Sequence, residues 1–160
     1  MKKPNIHPSA RVAPGAVIVG DVTLEENVNI WYNSVLRADY DSIHIGAGTN
    51  VQDGCVLHIS RDCPVNIGMN VTIGHGAIVH GCTVGDNCLI GMGSIVMDRA
   101  VIGKNCIVAA GAVVVGGTVV PDNSLVMGSP AKVKRQTRPE EWENNLRTAK
   151  HYVETAAEQF

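Results

Sequence analysis

A chain of 160 residues that is 45% hydrophobic can bury the core of one domain, but a single Phe and two Trp leave that core to Val, Ile, Leu, Ala and small side chains. A net charge of −2, with no Lys/Arg block before residue 132, excludes the cationic surface that gripping a nucleic-acid backbone requires. No apolar run nears the ~20 residues of a membrane span, and residues 1–8 hold two lysines with no apolar stretch behind them, so no membrane association and a cytoplasmic protein are expected.

In chain order, the first pattern is a six-residue beat. Val12, Ile18, Leu24, Ile30 and Leu36 set it, and Ile45, Val51 and Leu57 resume it after a short interruption. From Ile67 it runs through Ile73, Val79, Val84, Ile90, Val96, Ile102, Val108, Val114, Val120 and Val126, with one five-residue step from Val79 to Val84. Four residues after many of these anchors stands something small: Cys55, Ala77, Cys88, Ser94, Ala100, Cys106, Ala112, Thr118 and Ser124. A period of six fits neither an amphipathic helix nor a hairpin. It fits short flat strands joined by corners, with anchor and small residue both pointing inward. Three such strands close a triangular coil of about 18 residues, and stacked coils satisfy one another in parallel ladders. The expected fold is therefore all-β, a parallel β-helix over residues 1–136.

The register also sorts the cysteines. Five Cys without a CxxC pair argue against a disulfide framework and a thiolate zinc site. Cys55, Cys88 and Cys106 take the small inward slot, where a thiol acts as an apolar filler. Cys63 and Cys82 fall outside that slot, and the default for them is a neutral thiol without chemistry. Residues 60–66 break the beat and form an excursion from the coil. After Gly128-Ser129-Pro130-Ala131-Lys132 the period stops. Over residues 137–160, Thr137 and Glu140 suggest a capping box with Pro139 in the first turn. Trp142, Leu146, Ala149, Val153, Ala156 and Phe160 then share one helical stripe, which predicts an α-helix packed outside the coils within the same domain.

Three of the six histidines, His58, His75 and His80, lie one or two residues past an anchor and so point outward or sit at a corner. A separation of 17 is close to one coil, which places His58 and His75 in one stack, while His75 and His80 diverge across a corner. One subunit can hardly wrap all three rings round an ion at the ~2.0–2.1 Å that zinc needs, whereas a neighbour in a three-fold ring can supply the missing imidazole. Three neutral imidazoles plus water leave an open, catalytic type of coordination. The alternative is that outward histidines on such a fold are solvated polar residues, which is the reading for His7, His44 and His151.

The stretch Asn50-Val51-Gln52-Asp53-Gly54-Cys55-Val56-Leu57-His58, preceded by Leu36-Arg37-Ala38-Asp39 and followed by Ile73-Gly74-His75-Gly76-Ala77-Ile78-Val79-His80-Gly81-Cys82, resembles the gamma-class carbonic anhydrases and their relatives among hexapeptide-repeat proteins. The resemblance covers residues 12–132. It implies a left-handed β-helix, a homotrimer, and a Zn2+ ion (or Fe2+ or Co2+) at each subunit interface. It implies His58 and His80 as ligands from one subunit and His75 from its neighbour. Gln52 matches the residue expected to hydrogen-bond metal-bound water or substrate, with Asn50 beside it, while Arg37, Asp39 and Asp53 match charged residues that organise the interface. Founding members of the family carry a Glu after Arg-Ala-Asp and a longer acidic loop after the first metal histidine. Here Tyr40 follows Asp39 and the 60–66 excursion holds one acid, Asp62, so the chain resembles the subgroup without an acidic loop, and Tyr40 or solvent is left to take the proton out.

The leading expectation is reversible hydration of CO2 to bicarbonate. A second is acyl transfer to or from coenzyme A, or thioester hydrolysis, because hexapeptide repeats and endings like residues 128–132 also resemble acyltransferases. A third is a metal-stapled trimer without turnover.

Overall fold

The computed structural model describes residues 2–160, and within them the chain winds as a parallel β solenoid of about seven turns closed by one helix. The aliphatic beat maps onto three faces. Ile30, Val51, Ile73, Ile90, Val108 and Val126 stack in register on the first. Leu36, Leu57, Val79, Val96 and Val114 stack on the second. Leu24, Ile45, Ile67, Val84, Ile102 and Val120 stack on the third. Almost all of these side chains are sealed from solvent, and losing any one Leu or Ile to Ala typically costs ~2–5 kcal/mol. Val12, in the first coil, is exposed because no earlier turn covers it. The small slot behaves as expected, with Cys55, Ala77, Cys88, Ser94, Ala100, Cys106, Ala112 and Ser124 all buried, and only Thr118 partly open.

The corners need left-handed backbone, and the chain meets that need with Gly and with Asn, which tolerates φ > 0 better than other side chains. Asn87, Asn105 and Asn123, each at positive φ, stack at the corner between the third and first faces. The Asn87 Nδ2 donates to Asn105 Oδ1 at 3.0 Å, and Asn105 Nδ2 to Asn123 Oδ1 at 3.1 Å. The C-terminal helix, Pro139–Gln159, docks on this ladder: Asn145 Nδ2 donates to the Asn87 carbonyl and Asn87 Nδ2 to that of Trp142. At its far end Tyr152 and Phe160 meet the Trp31 ring edge-on, with centroids 5.3 and 5.2 Å away.

Two details of the helix differ from the sequence reading. The cap sits one residue later, with Glu141, not Glu140, accepting the Arg138 N–H at 2.8 Å while the Thr137 hydroxyl donates to the Asn105 carbonyl. Leu146 is 48% exposed, and the polar Asn145 takes the inward place because it reaches the asparagine corner. Before the helix, Ser124–Gly128 turns back and pairs antiparallel with Ala131–Gln136, which covers the last strand edge of the first face.

Lower coils repeat every 17 or 18 residues, as Ile78 with Ile95 and Ile90 with Val108 show. The first coil also takes 18, as Val17 with Val35 shows, but the two that follow take 21 and 22, as Val35 with Val56 and Val56 with Ile78 show. The extra residues sit at one corner, between the second and third faces, in the continuous strand Val35–Ile45 and in the 60–64 excursion. Gly20 makes the first of these bends feasible. It has φ of +88°, and a Cβ there would lie 2.0 Å from the Ala38 carbonyl oxygen.

Candidate metal and catalytic site

The long coils decide which histidines meet. His58 and His80, 22 residues apart, pair in register at the end of the second face, with Arg37 above His58 in the same row. His58 therefore stacks with His80, not with His75: a 17-residue step is one coil only lower in the solenoid, and the excursion makes this turn longer. The His58 Nδ1 and His80 Nε2 are 2.9 Å apart, with ring centroids at 4.9 Å. Asp39 Oδ2 lies 3.1 Å from His58 Nε2 and also pairs with Arg37. On the other side, Asp98 Oδ1 hydrogen-bonds His80 Nδ1.

His75 sits at the opposite corner, between the first and second faces, where Gly76 turns the chain. Its Nδ1 lies 3.0 Å from Asp53 Oδ2, and its backbone N–H donates to Gln52 Oε1 at 3.2 Å. Gln52 is 5% exposed, and its Nε2 donates to Asn50 Oδ1 at 3.1 Å. Asn50 is fully buried and donates in turn to the Thr72 hydroxyl, so it stands behind Gln52 and holds it, rather than facing a ligand. An open apolar trough of about 370 Å³ begins at Gln52 and His75 and runs past Leu89, Ile107 and Ala109 under Thr148 and Tyr152 of the helix.

The donor set fits a metal ion in part. Among the described residues no three His, Cys, Asp or Glu side chains converge in an arrangement able to hold one. One chain brings together two imidazoles, each backed by a carboxylate, and carries the third, also carboxylate-backed, on another corner. Carboxylate-backed imidazole is the pattern of oriented metal ligands. Tyr40, next to Asp39 in the strand Val35–Ile45, is 69% exposed, with the Arg61 guanidinium 5.7 Å above its ring centroid. His44 pairs with Glu25 at 2.9 Å and His7 approaches Glu26 at 3.8 Å, both outside the site. Cys82 is buried, and burial pushes its thiol up to about 12, so it has no thiolate to offer. Sequence reading missed Asp98 and Tyr152. Asp98 was legible as lying one residue past the position one 17-residue coil after His80, whereas Tyr152 comes from the helix, whose docking the solenoid period does not encode.

Comparison with known proteins places this architecture in a family. Residues 81–116 match the family described as bacterial transferase hexapeptide (six repeats), and residues 64–97 match the hexapeptide repeat of succinyl-transferase. The chain is 49% identical over 148 residues, 92% of its length and 93% of the relative's, to a probable carbonic anhydrase of Methanocaldococcus jannaschii. It is 42% identical over 138 residues, 86% of its length and 70% of the relative's, to the carnitine operon protein CaiE of Escherichia coli. A crystal structure of a hexapeptide transferase family protein from Anaplasma phagocytophilum superposes with a TM-score of 0.94 at 41% identity, covering 98% of this chain and 93% of that one. The chain belongs to the gamma-carbonic-anhydrase-like family of hexapeptide-repeat proteins. Among the described residues no helix is long and apolar enough to cross a membrane.

Proposed function

We propose that the protein is a metal-dependent carbonic anhydrase of the gamma type, working as a homotrimer with its sites between subunits. The observation that carries this reading is the division of the three histidines: His58 and His80 in register at one edge of the second face, and His75 beside Gln52 at the other. An outward row of Val17, Val35, Val56, Ile78, Ile95 and Val113 fills the face between these edges, with Val17, Val56 and Ile78 exposed. An apolar row of this length is suited to a partner surface, and a three-fold ring would bring one subunit's His75 to the next subunit's His58 and His80.

His58, His80 and a neighbour's His75 would hold Zn2+, with Fe2+ and Co2+ as the other ions to test. A divalent ion bound there supplies a Lewis acid that makes water nucleophilic near neutral pH. The chain's own residues do the rest. Asp39 and Asp53 lie against a ring nitrogen of His58 and of His75 and fix the orientation of both rings. Gln52 is held by Asn50 and by the His75 backbone, and its remaining amide hydrogen is free to orient an oxygen of CO2 or bicarbonate. The apolar trough beside Gln52 suits an uncharged, nonpolar substrate. Arg37 and Asp39 act through assembly, and Tyr40, far out in solvent, is at most the outermost proton acceptor.

Stopped-flow CO2 hydration by the zinc, cobalt and anaerobically prepared iron forms tests the reading, together with metal content and mass in solution. Hydration above that of a His75→Ala control is expected, and its absence in every form would remove the enzymatic reading. The transferase names of relatives and the length of the trough favour one competitor, binding of a CoA thioester. Calorimetric binding of acyl-CoA that survives metal removal would select it. Metal-dependent trimers with neither activity would instead mark a structural ion.

A further inference from the structure

We propose that Asp98 is a positioning residue that locks His80 into the tautomer protonated at Nδ1, leaving the Nε2 lone pair turned towards His58. The inference rests on the metal-site reading above only for its consequence, since the hydrogen bond itself is a property of the single chain.

Two observations converge on this carboxylate. First, Asp98 Oδ1 is bonded to His80 Nδ1, and His80 Nε2 is the nitrogen that faces His58. Second, the space around it is built. A Cβ on Gly81 would stand 2.9 Å from Asp98 Oδ1 and 2.7 Å from Cys63 Sγ, so the side chain of any other residue would displace one of them. Gly81 itself has φ of +50°, and its carbonyl accepts the Cys63 thiol at 2.9 Å, which pins the 60–64 excursion, bridged at Ser60 and Cys63, against the same corner.

A carboxylate that accepts one ring N–H selects the tautomer and makes the other nitrogen a better ligand. With Asp98 counted, each of the three candidate ligands has its own aspartate: Asp39 for His58, Asp53 for His75 and Asp98 for His80. The second coil-lengthening insertion thereby acquires a purpose. It spaces His80 under His58 and also closes on the residue that orients it.

The test uses long-range proton–nitrogen NMR correlations of the metal-free protein in mildly alkaline solution. Wild type and Asp98→Asn, whose amide oxygen still accepts, are expected to show His80 protonated at Nδ1. Asp98→Ala is expected to move towards the Nε2-protonated form, and an unchanged tautomer in this variant would overturn the proposal. Cobalt affinity by competition is expected to fall ~10–100-fold in Asp98→Ala, with an intermediate loss in Asp98→Asn, which keeps the hydrogen bond without the charge. If Asp98→Ala does not fold, Asp98→Asn decides alone, since wild-type cobalt affinity there would remove the carboxylate's role. If wild type itself binds no cobalt, the metal reading fails while the NMR arm still decides the positioning.

Discussion

Mixing two inactive variants should restore a definite fraction of sites. His58 and His80 share one edge of the second face and His75 occupies the other, so each complete site would draw its stacked pair from one subunit and its third imidazole from the next. A His75→Ala trimer then lacks one ligand at every interface, and so does a His80→Ala trimer. Loss of a ligand costs more than the ~10–100-fold in affinity typical of losing an outer-shell partner, so each parent should bind almost no cobalt at concentrations that just saturate wild type. After unfolding and reassembly of the two in equal amounts, an interface is complete only where a His75→Ala chain gives the pair and a His80→Ala chain gives the third ring. Random assembly makes that about one interface in four. The reverse holds for wild type reshuffled with a His75→Ala/His80→Ala double variant: one half of the interfaces are complete before mixing, and about one quarter after it. Cobalt absorbance per trimer, with native mass spectrometry to count mixed species, reads both. Full cobalt binding by either parent, or no recovery in verified mixed trimers, would refute the division of ligands between chains.

Gly20→Ala should destabilise the chain by about 2 kcal/mol or more, since a left-handed non-glycine residue costs ~1–3 kcal/mol and the new Cβ would strike the Ala38 carbonyl at 2.0 Å. Chemical denaturation measures the loss, and an unchanged midpoint would contradict the close approach. The helix cap should weaken in acid. Hydrogen bonds from Arg135 and the Arg138 backbone hold the Glu141 carboxyl down at about 2. A depressed carboxylate stabilises above its ordinary value of 4.5 and loses that contribution as pH falls towards 2. Glu141→Gln should therefore differ from wild type at neutral pH, by about 1 kcal/mol as for other lost caps, and converge with it in strong acid. All five thiols are buried, and burial pushes Cys55 up to about 11 and Cys82 to about 12. A thiol reagent at mildly alkaline pH should modify essentially none of them until denaturant is added. Rapid labelling of the native protein would show that the solenoid opens locally.

The six-residue beat was enough to establish the coil, its three faces and its inward slots, because each anchor satisfies a local rule: one strand, one corner, one inward side chain, repeated. Outward histidines followed from the same rule. What the period did not carry was the length of the turns it skips. The insertions at 38–42 and 60–64 lie outside the repeat, so only the folded chain shows that 22 residues, not 17, separate stacked partners, and that His58 meets His80 while His75 stands against Asp53. Spacing alone paired the wrong rings, and family resemblance supplied the pairing that the register then displayed. The helix is a similar case. Its amphipathic stripe announced a helix, but docking on the asparagine corner chose Asn145 over Leu146 and brought Tyr152 over Gln52 and His75. By itself the sequence determined the periodic part of the molecule, because periodic burial is a nearest-neighbour property. Tertiary structure decided the geometry of the candidate site, because residues from non-repeating insertions and a remote helix are brought to one place only in the folded chain.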